Sequence, residues 1–508
     1  MGSYLGIEFG STRIKAVAID GQYRPVSSGE FTWGAKYENG VWTYDLSLAT
    51  EGLRAVLSQI EGIKTVEAVG ISGMMHGYLA FDKDWNLLTP FRTWQNTITA
   101  QAAKELTELF GFNVPQRWSI AHLYQAVLNR EEHIPQVAHI TTLAGYMHYL
   151  LTGVNAVGVG EASGIFPIDS ENLCYDEEMM RKLEKRLEGE NLPWNVRDVL
   201  PRVLAAGEPA GELTAAGAQL CGGRLAVGTP FAPPEGDAGT GMVATNAVAP
   251  RTGNISAGTS IFSMVVLEHD LQHVYEEIDM VTTPAGRPVA MVHCNNCTAD
   301  SNAWVSVLGE AARLFGAAPT DGELFTALYK KSLEGEADCG GVLTCNYLAG
   351  EGITHLDAGR AMVVRRPEAR FTLANFLRSM LYATMATLRL GMDILDAENV
   401  TVDTLTGHGG LFKTPGVAQR YMAAACNTAV SCMETAGEGG PYGMALLAAY
   451  RANKCEGESL DRYLEDRVFR NVCRTVLKPT QEDLDGFAAY MEDYKKLLRV
   501  ENTAVSVL

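Results

Sequence analysis

The chain has 508 residues, 47% hydrophobic and 20% charged, which is the composition of a folded globular protein and excludes a largely disordered one. Its 41 Lys and Arg against 60 Asp and Glu leave a net charge of −19; that sign opposes non-specific binding to nucleic acid or to an anionic membrane, while leaving room for a local phosphate pocket. The length corresponds to roughly two to four domains, no apolar run reaches the ~18 residues of a membrane span, and Met1–Glu8 lacks the basic-then-apolar pattern of a secretion signal.

Tyr4–Phe9 and Ile14–Ile19 each alternate in part and flank Gly10-Ser11-Thr12, with Asp20-Gly21 as the next turn signal. This predicts a β-hairpin with small residues at its tip and argues against a βαβ opening. Leu46–Ile60 has helical spacing, Ala68–Ser72 and Tyr78–Asp82 read as strands on either side of Met75-His76-Gly77, and Ala100–Phe110 reads as a helix. His122–Gly153 reads as helices ending at a C-terminal glycine, and Glu177–Glu188 as a charged surface helix. A glycine-rich band, Gly228–Gly258, interrupts the pattern and sets a domain boundary near residue 250. Beyond it, Gly258-Thr259-Ser260 again separates two strand-like runs, which points to a duplicated fold with no short repeat. Cys294-Asn295-Asn296-Cys297 has no second pair at zinc spacing, so the ten scattered cysteines read as free thiols in a reducing cytoplasm. Phe371–Leu395 is a long helical pattern, Thr401–Thr406 a strand before His408-Gly409-Gly410, Thr414–Ala425 a helix, Thr428–Met433 a strand and Pro441–Tyr450 a small-residue helix.

Several of these positions carry chemistry. Glycine turns with Ser and Thr hydroxyls let backbone N–H groups approach an anion, so Gly10, Ser11, Thr12, Gly258 and Thr259 are candidate phosphate contacts or ordinary hairpin turns. Asp237, placed in a loop between Gly236 and Gly239, is a candidate general base for a hydroxyl nucleophile or a plain turn residue. Glu8 at the end of an apolar strand is costly unless solvated, paired or holding a metal ion. His76, Trp94 and Asn96 supply a donor–acceptor ring, a flat apolar face and an amide, a set suited to a polyol. No P-loop, no dinucleotide fingerprint and no Gly-x-Ser-x-Gly elbow is present.

Taken in order, Ile7–Thr12, Gly73–Gly77, Thr93–Asn96, the Tyr146–Gly153 run with Glu161-Ala162-Ser163 and Asp169, Gly236-Asp237, Ser256–Ser260, Gly407–Gly410 and Gly440–Gly443 resemble the motifs of the FGGY carbohydrate kinases, and among them the xylulokinase-like members. The resemblance implies an α/β protein of two actin-like (ribonuclease H-like) domains with a cleft between them, at 1–248 and 249–508, the latter ending in a helical tail, 460–508. It implies a cytoplasmic enzyme that phosphorylates a primary hydroxyl of a ketose or related sugar with ATP and Mg²⁺, with homodimers among its expected states. On that basis Asp237 is the catalytic base, and Met75, His76, Trp94 and Asn96 bind the sugar together with Asp237. Gly10, Ser11, Thr12, Gly258, Thr259, Gly409 and Gly410 bind ATP, and Glu8 faces the metal. The chain departs from the family pattern at Glu8 (usually Asp), and from the xylulokinases at Met74 (Gln) and Asn96 (Asp). A kinase for another ketose, a polyol or a sugar acid, or a catalytically inactive nucleotide-binding sensor of the same fold, are the alternative readings.

Overall fold

The computed structural model describes residues 2–434 and 439–508. Its N-terminal sheet begins with β1 (Ser3–Phe9), β2 (Arg13–Asp20) and β3 (Pro25–Thr32). Helix α1 (Leu46–Ser58) follows, its Asp45 cap accepting from Ser47 N at 2.9 Å. Then come β4 (Ala68–Gly73), α2 (Leu143–Thr152), β5 (Glu235–Gly236) and α3 (Asp237–Ala244). The strand order is β5–β4–β1–β2–β3, with β1 antiparallel to β2 and parallel to β4, and β4 parallel to β5. Helix α2 stops where expected, with Gly153 in the left-handed region (φ 73°). The stretch expected to be helical from His122 to Gly153 is split by a short strand, His139–Thr141.

The second sheet repeats this opening. Strands β6 (Thr252–Ala257) and β7 (Ile261–Val266) form an antiparallel hairpin. After α4 (Thr298–Leu314) and α5 (Leu373–Ala397), strand β8 (Thr404–His408) joins β6 in parallel. Helix α6 (Val417–Cys426) and strand β9 (Ala429–Met433) follow, β9 parallel to β8. In both sheets a hairpin leads to parallel neighbours, which is the duplication of fold expected from the two Gly-Ser/Thr turns.

The chain then continues as α7 (Gly439–Asn453), β10 (Arg474–Leu477) and α8 (Gln481–Val507). Two compact units result. One comprises Met1–Pro250, Val274–Val289 and Glu438–Asn471; the other comprises Arg251–His273, Ala290–Gly437 and Val472–Leu508. The compact units share the expected boundary near residue 250, and the first also takes in segments from beyond it. Helix α7 belongs to the first unit, lying across β1, β4 and α3. The contact is close enough that a Cβ at Gly6 would overlap the backbone of Pro441 and Ala445, and one at Gly443 would overlap the carbonyl of Thr240. The expected tail is divided accordingly: 460–471 stays with the first unit, while β10 pairs antiparallel with β9 and α8 packs on the second. Among the described residues no helix is long and apolar enough to cross a membrane.

A buried ion cluster anchors α8. Arg378 Nη2 donates to Asp483 Oδ1 (2.8 Å), Arg420 Nε to Oδ2 (2.7 Å) and Thr480 Oγ1 to Oδ2 (2.7 Å). Burial alone would raise the Asp483 pKa, but the bonds from Arg420 and Thr480 and the charge of Arg378 outweigh it, so the net shift is downward. Asp483→Ala leaves the buried Arg378 guanidinium without its partner and is expected to cost about 3–5 kcal/mol, measured by urea denaturation. Because the folded pKa is lowered, the wild-type contribution holds above the usual carboxylate range and fades only as pH falls through the folded value.

Candidate active site

The register of the first sheet sets the site. Glu8 is paired with Ser72 and Ser72 with Glu235, while Phe9 is paired with Gly73 and Gly73 with Gly236. Three parallel strands therefore end at one edge, and the next residues of each, Gly10, Met74 and Asp237, emerge together.

At the end of β5 the chain turns directly into α3, so Asp237 is the first residue of a helix and not a member of a mobile loop. Gly236 is extended (φ −77°, ψ 155°), and an acidic residue in the first helical turn faces the positive end of the macrodipole. Met75 N donates to Asp237 Oδ1 at 3.1 Å and Ala238 N donates to the same oxygen at 2.9 Å. The residue is exposed to solvent, while protein groups still crowd its carboxyl. That crowding raises its pKa, and the two backbone donors partly counter the rise.

Glu8 lies nearby. Burial and the charge of Asp237 push its pKa up to about 7, with Lys15 pulling the other way. A Cβ at Gly440 would overlap Glu8 Oε2, and one at Gly10 would lie 3.1 Å from Oε1. The carboxyl therefore occupies a slot between two glycine Cα atoms.

The tip of the β1–β2 hairpin is held by its carbonyls. Trp33 Nε1 donates to Gly10 O (2.6 Å), Tyr44 OH to Ser11 O (2.7 Å) and Trp33 N to Thr12 O (3.2 Å). Burial pushes the Tyr44 pKa up to about 12, so the phenol keeps the proton it donates. In a trans peptide the C=O and the following N–H point in opposite directions. Fixing the Gly10 and Ser11 carbonyls therefore turns the Ser11 and Thr12 N–H groups away from Trp33 and Tyr44, and neither has an acceptor among the described residues.

The second unit wires its own turn in the same way with different donors. Cys297 N donates to Thr259 O (3.0 Å), and Thr298 N and Oγ1 donate to Gly258 O (3.1 and 2.7 Å). This orients the Thr259 and Ser260 N–H groups away from the start of α4. Gly409 follows β8 with φ 97°, where a Cβ would overlap the carbonyl of Ala257, while a Cβ at Gly410 would meet nothing within 4 Å. Gly409 and Gly410 thus lie against the strand that leads into Gly258, with open space beside Gly410. The Cys294–Cys297 segment serves this turn: both cysteines are buried free thiols with raised pKa values, and Glu351 Oε2 accepts from Asn295 N (2.9 Å) and Asn296 N (3.3 Å).

Two family models match the chain, the N-terminal domain of the FGGY family of carbohydrate kinases over residues 3–244 and its C-terminal domain over residues 253–452. The chain belongs to the FGGY family of carbohydrate kinases. A xylulose kinase of Klebsiella pneumoniae is 24% identical over 483 residues, covering 90% of this chain and 91% of that protein. The crystal structure of xylulose kinase from Rhodospirillum rubrum matches with a TM-score of 0.80 at 16% identity, over 99% of this chain and 100% of that one. Gluconate kinase from Lactobacillus acidophilus matches with 0.78 at 16% identity, over 98% of each. The fold is thus shared by proteins named for different acceptors.

In this FGGY kinase the residues expected at the sugar are placed unequally. His76 is buried, with φ 70°, its Nδ1 3.3 Å from Gly164 O and its ring stacked at 6.4 Å on Trp118. Met75 is buried and packs on Gly236 while its amide serves Asp237. Trp94 is exposed. Asn96 departs from expectation. Its Oδ1 accepts from Trp42 N (2.8 Å), and its Nδ2 donates to Trp42 O (2.8 Å) and Thr93 O (3.0 Å). One amide hydrogen goes to Trp42 O and the other to Thr93 O, so Asn96 holds the Trp94 loop against the Trp42 backbone and has no donor left for a sugar.

Three residues that matter here carry no signal in the sequence, Trp33, Tyr44 and Glu235, and Glu161 stands there only as part of a motif with no role of its own. Glu235 stands two residues before Asp237. Its Oε2 accepts from Glu161 N (2.8 Å), and its carboxyl fills the space a Cβ would need at Gly158 and Gly160. Burial pushes its pKa up to about 8, and pushes that of the fully buried Glu161 well above the carboxylate range, helped by the charges of Glu235 and Asp237. A carboxyl with a raised folded pKa loses stabilising effect as pH climbs from the unfolded to the folded value. Glu235→Gln, which does not titrate, is therefore expected to gain stability relative to wild type between about pH 4.5 and 8. Urea denaturation at pH 5 and pH 9 checks this, the variant's advantage being larger at pH 9.

Proposed function

We propose that this FGGY kinase transfers the γ-phosphoryl group of ATP to a primary hydroxyl of a ketose of xylulose type, with Asp237 as general base. The observation that carries the reading is Asp237 itself: a solvent-exposed acidic residue at the helix start, with Oδ1 occupied by two backbone N–H groups and Oδ2 left to accept a proton. Its raised pKa brings it nearer to a working pH, which favours a base that takes the hydroxyl proton late in a loose transition state.

His76 and Trp94 would present a ring nitrogen and a flat apolar face to the acceptor, and Met75 would line it. The Ser11 and Thr12 N–H groups, with their counterparts on Thr259 and Ser260, are the donors for phosphate oxygens; Gly10 and Gly258 keep those turns free of side chains. Gly409 and Gly410 would take the adenosine. Glu8 fits an oxygen ligand for Mg²⁺: it has no hydrogen-bond donor among the described residues, and a cation would relieve the burial and the repulsion from Asp237 that raise its pKa. When bound, the ion would neutralise charge on the phosphate oxygens.

Asp237→Asn is expected to lower kcat by on the order of 10²–10⁴-fold, while ATP affinity measured by calorimetry stays within a few-fold of wild type. Near-normal turnover of that variant would remove Asp237 from the role of base. ADP release across D-xylulose, other ketoses, polyols and sugar acids should give the highest kcat/KM for D-xylulose. A higher value for a sugar acid or a polyol would replace the acceptor and keep the kinase. Binding of ATP and a sugar with no ADP release from any acceptor would mark an inactive sensor.

A further inference from the structure

The two sugar-side loops are tied to one point. Tyr78 N donates to Arg92 O (2.8 Å) and Arg92 N donates to Tyr78 O (3.1 Å), a two-way bridge outside the sheets. His76 precedes one end of this bridge by two residues and Trp94 follows the other end by two. The side chains of the bridge lead into a closed polar ring. The Arg92 guanidinium lies 5.4 Å from the Tyr78 ring centroid and pairs through both terminal nitrogens with the Glu131 carboxylate. His133 Nδ1 is 3.5 Å from Glu131 Oε2, and His133 Nε2 is 2.9 Å from Tyr78 OH, which closes the circuit.

Tyr78, Arg92 and His133 are buried. His122 stacks on Tyr78 at 6.1 Å and is held neutral by burial, its pKa down to about 3, so it sets no second positive charge beside Arg92. A guanidinium–carboxylate pair is a costly way to fill a core, since apolar residues of similar volume often stabilise as well or better. What directional bonds add is register: each partner is fixed in angle as well as in distance.

We propose that Tyr78, Arg92, Glu131 and His133 are positioning residues that hold the His76 and Trp94 loops at a set separation, and so define the acceptor the site takes. None of the four touches reacting atoms in the reading above, on which this proposal rests.

The test uses the full chain with D-xylulose and ATP. Tyr78→Phe removes one hydroxyl and keeps the ring. It is expected to raise the KM for D-xylulose by roughly fivefold to tenfold, the worth of one buried hydrogen bond, with the KM for ATP and the kcat at saturating D-xylulose changed by less than about twofold. His133→Ala should do the same, and His133→Gln, whose amide can meet the Tyr78 hydroxyl, should recover most of the loss. A merely structural role would lower the active fraction, seen as a fall in kcat with both KM values intact, and that result overturns the proposal. So does an unchanged KM for D-xylulose in Tyr78→Phe and His133→Ala. A wild-type protein that turns over no acceptor instead fails the kinase reading, and this proposal with it.

Discussion

The arrangement of the first unit depends on the in-register pairing of three parallel strands, β1, β4 and β5. It puts Glu8, Ser72 and Glu235 in one row and delivers the glycine turn, the Met75–His76 loop and Asp237 to one edge. The bond from Met75 N to Asp237 Oδ1 exists because β4 and β5 end level. A slip of one residue in either strand would turn its side chains to the opposite face and part Met75 N from Asp237 Oδ1. Helix α7 covers that sheet through contacts that only glycine permits at Gly6 and Gly443, which is why a segment so late in the chain belongs to the first unit.

Two unrelated devices hold the two glycine turns in the same way. In the first unit the donors that hold the turn carbonyls are an indole, a phenol and one backbone amide; in the second they come from Cys297 and the start of α4. Peptide geometry makes these equivalent. Whatever binds the carbonyl from behind turns the next N–H to the front, and a front of free N–H groups is what an anion needs.

Charge is arranged against stability around Asp237. Glu8, Glu161 and Glu235 all have raised pKa values, for which burial is the first cause, and the charge of Asp237 adds to the rise at Glu8 and Glu161. The Thr142 side chain offsets the rise at Glu161 only in part, and Glu235 Oε1 lacks a hydrogen-bond partner among the described residues. Such tension concentrates where a protein holds groups for chemistry and not for packing. The contrast is Asp483, a buried carboxylate fully supplied with cationic and hydroxyl donors, whose pKa goes down.

Local pattern by itself determined the strands that alternate, the helix stop at Gly153, the two Gly-Ser/Thr turns and the candidacy of Asp237, because each of these depends on neighbours within a few residues. Tertiary structure alone decided the rest. Asp237 opens a helix because β5 ends beside β4; the amide of Asn96, legible as a sugar ligand from its closeness to Trp94, is taken up by Trp42, 54 residues earlier. Trp33 and Tyr44 gained their roles only when the hairpin tip folded back onto them, and Glu235 gained its own only when Gly158 and Gly160 left space for a carboxyl. Hydrogen bonds between distant residues leave no periodicity in a sequence, so their partners stay invisible until the chain has closed on itself.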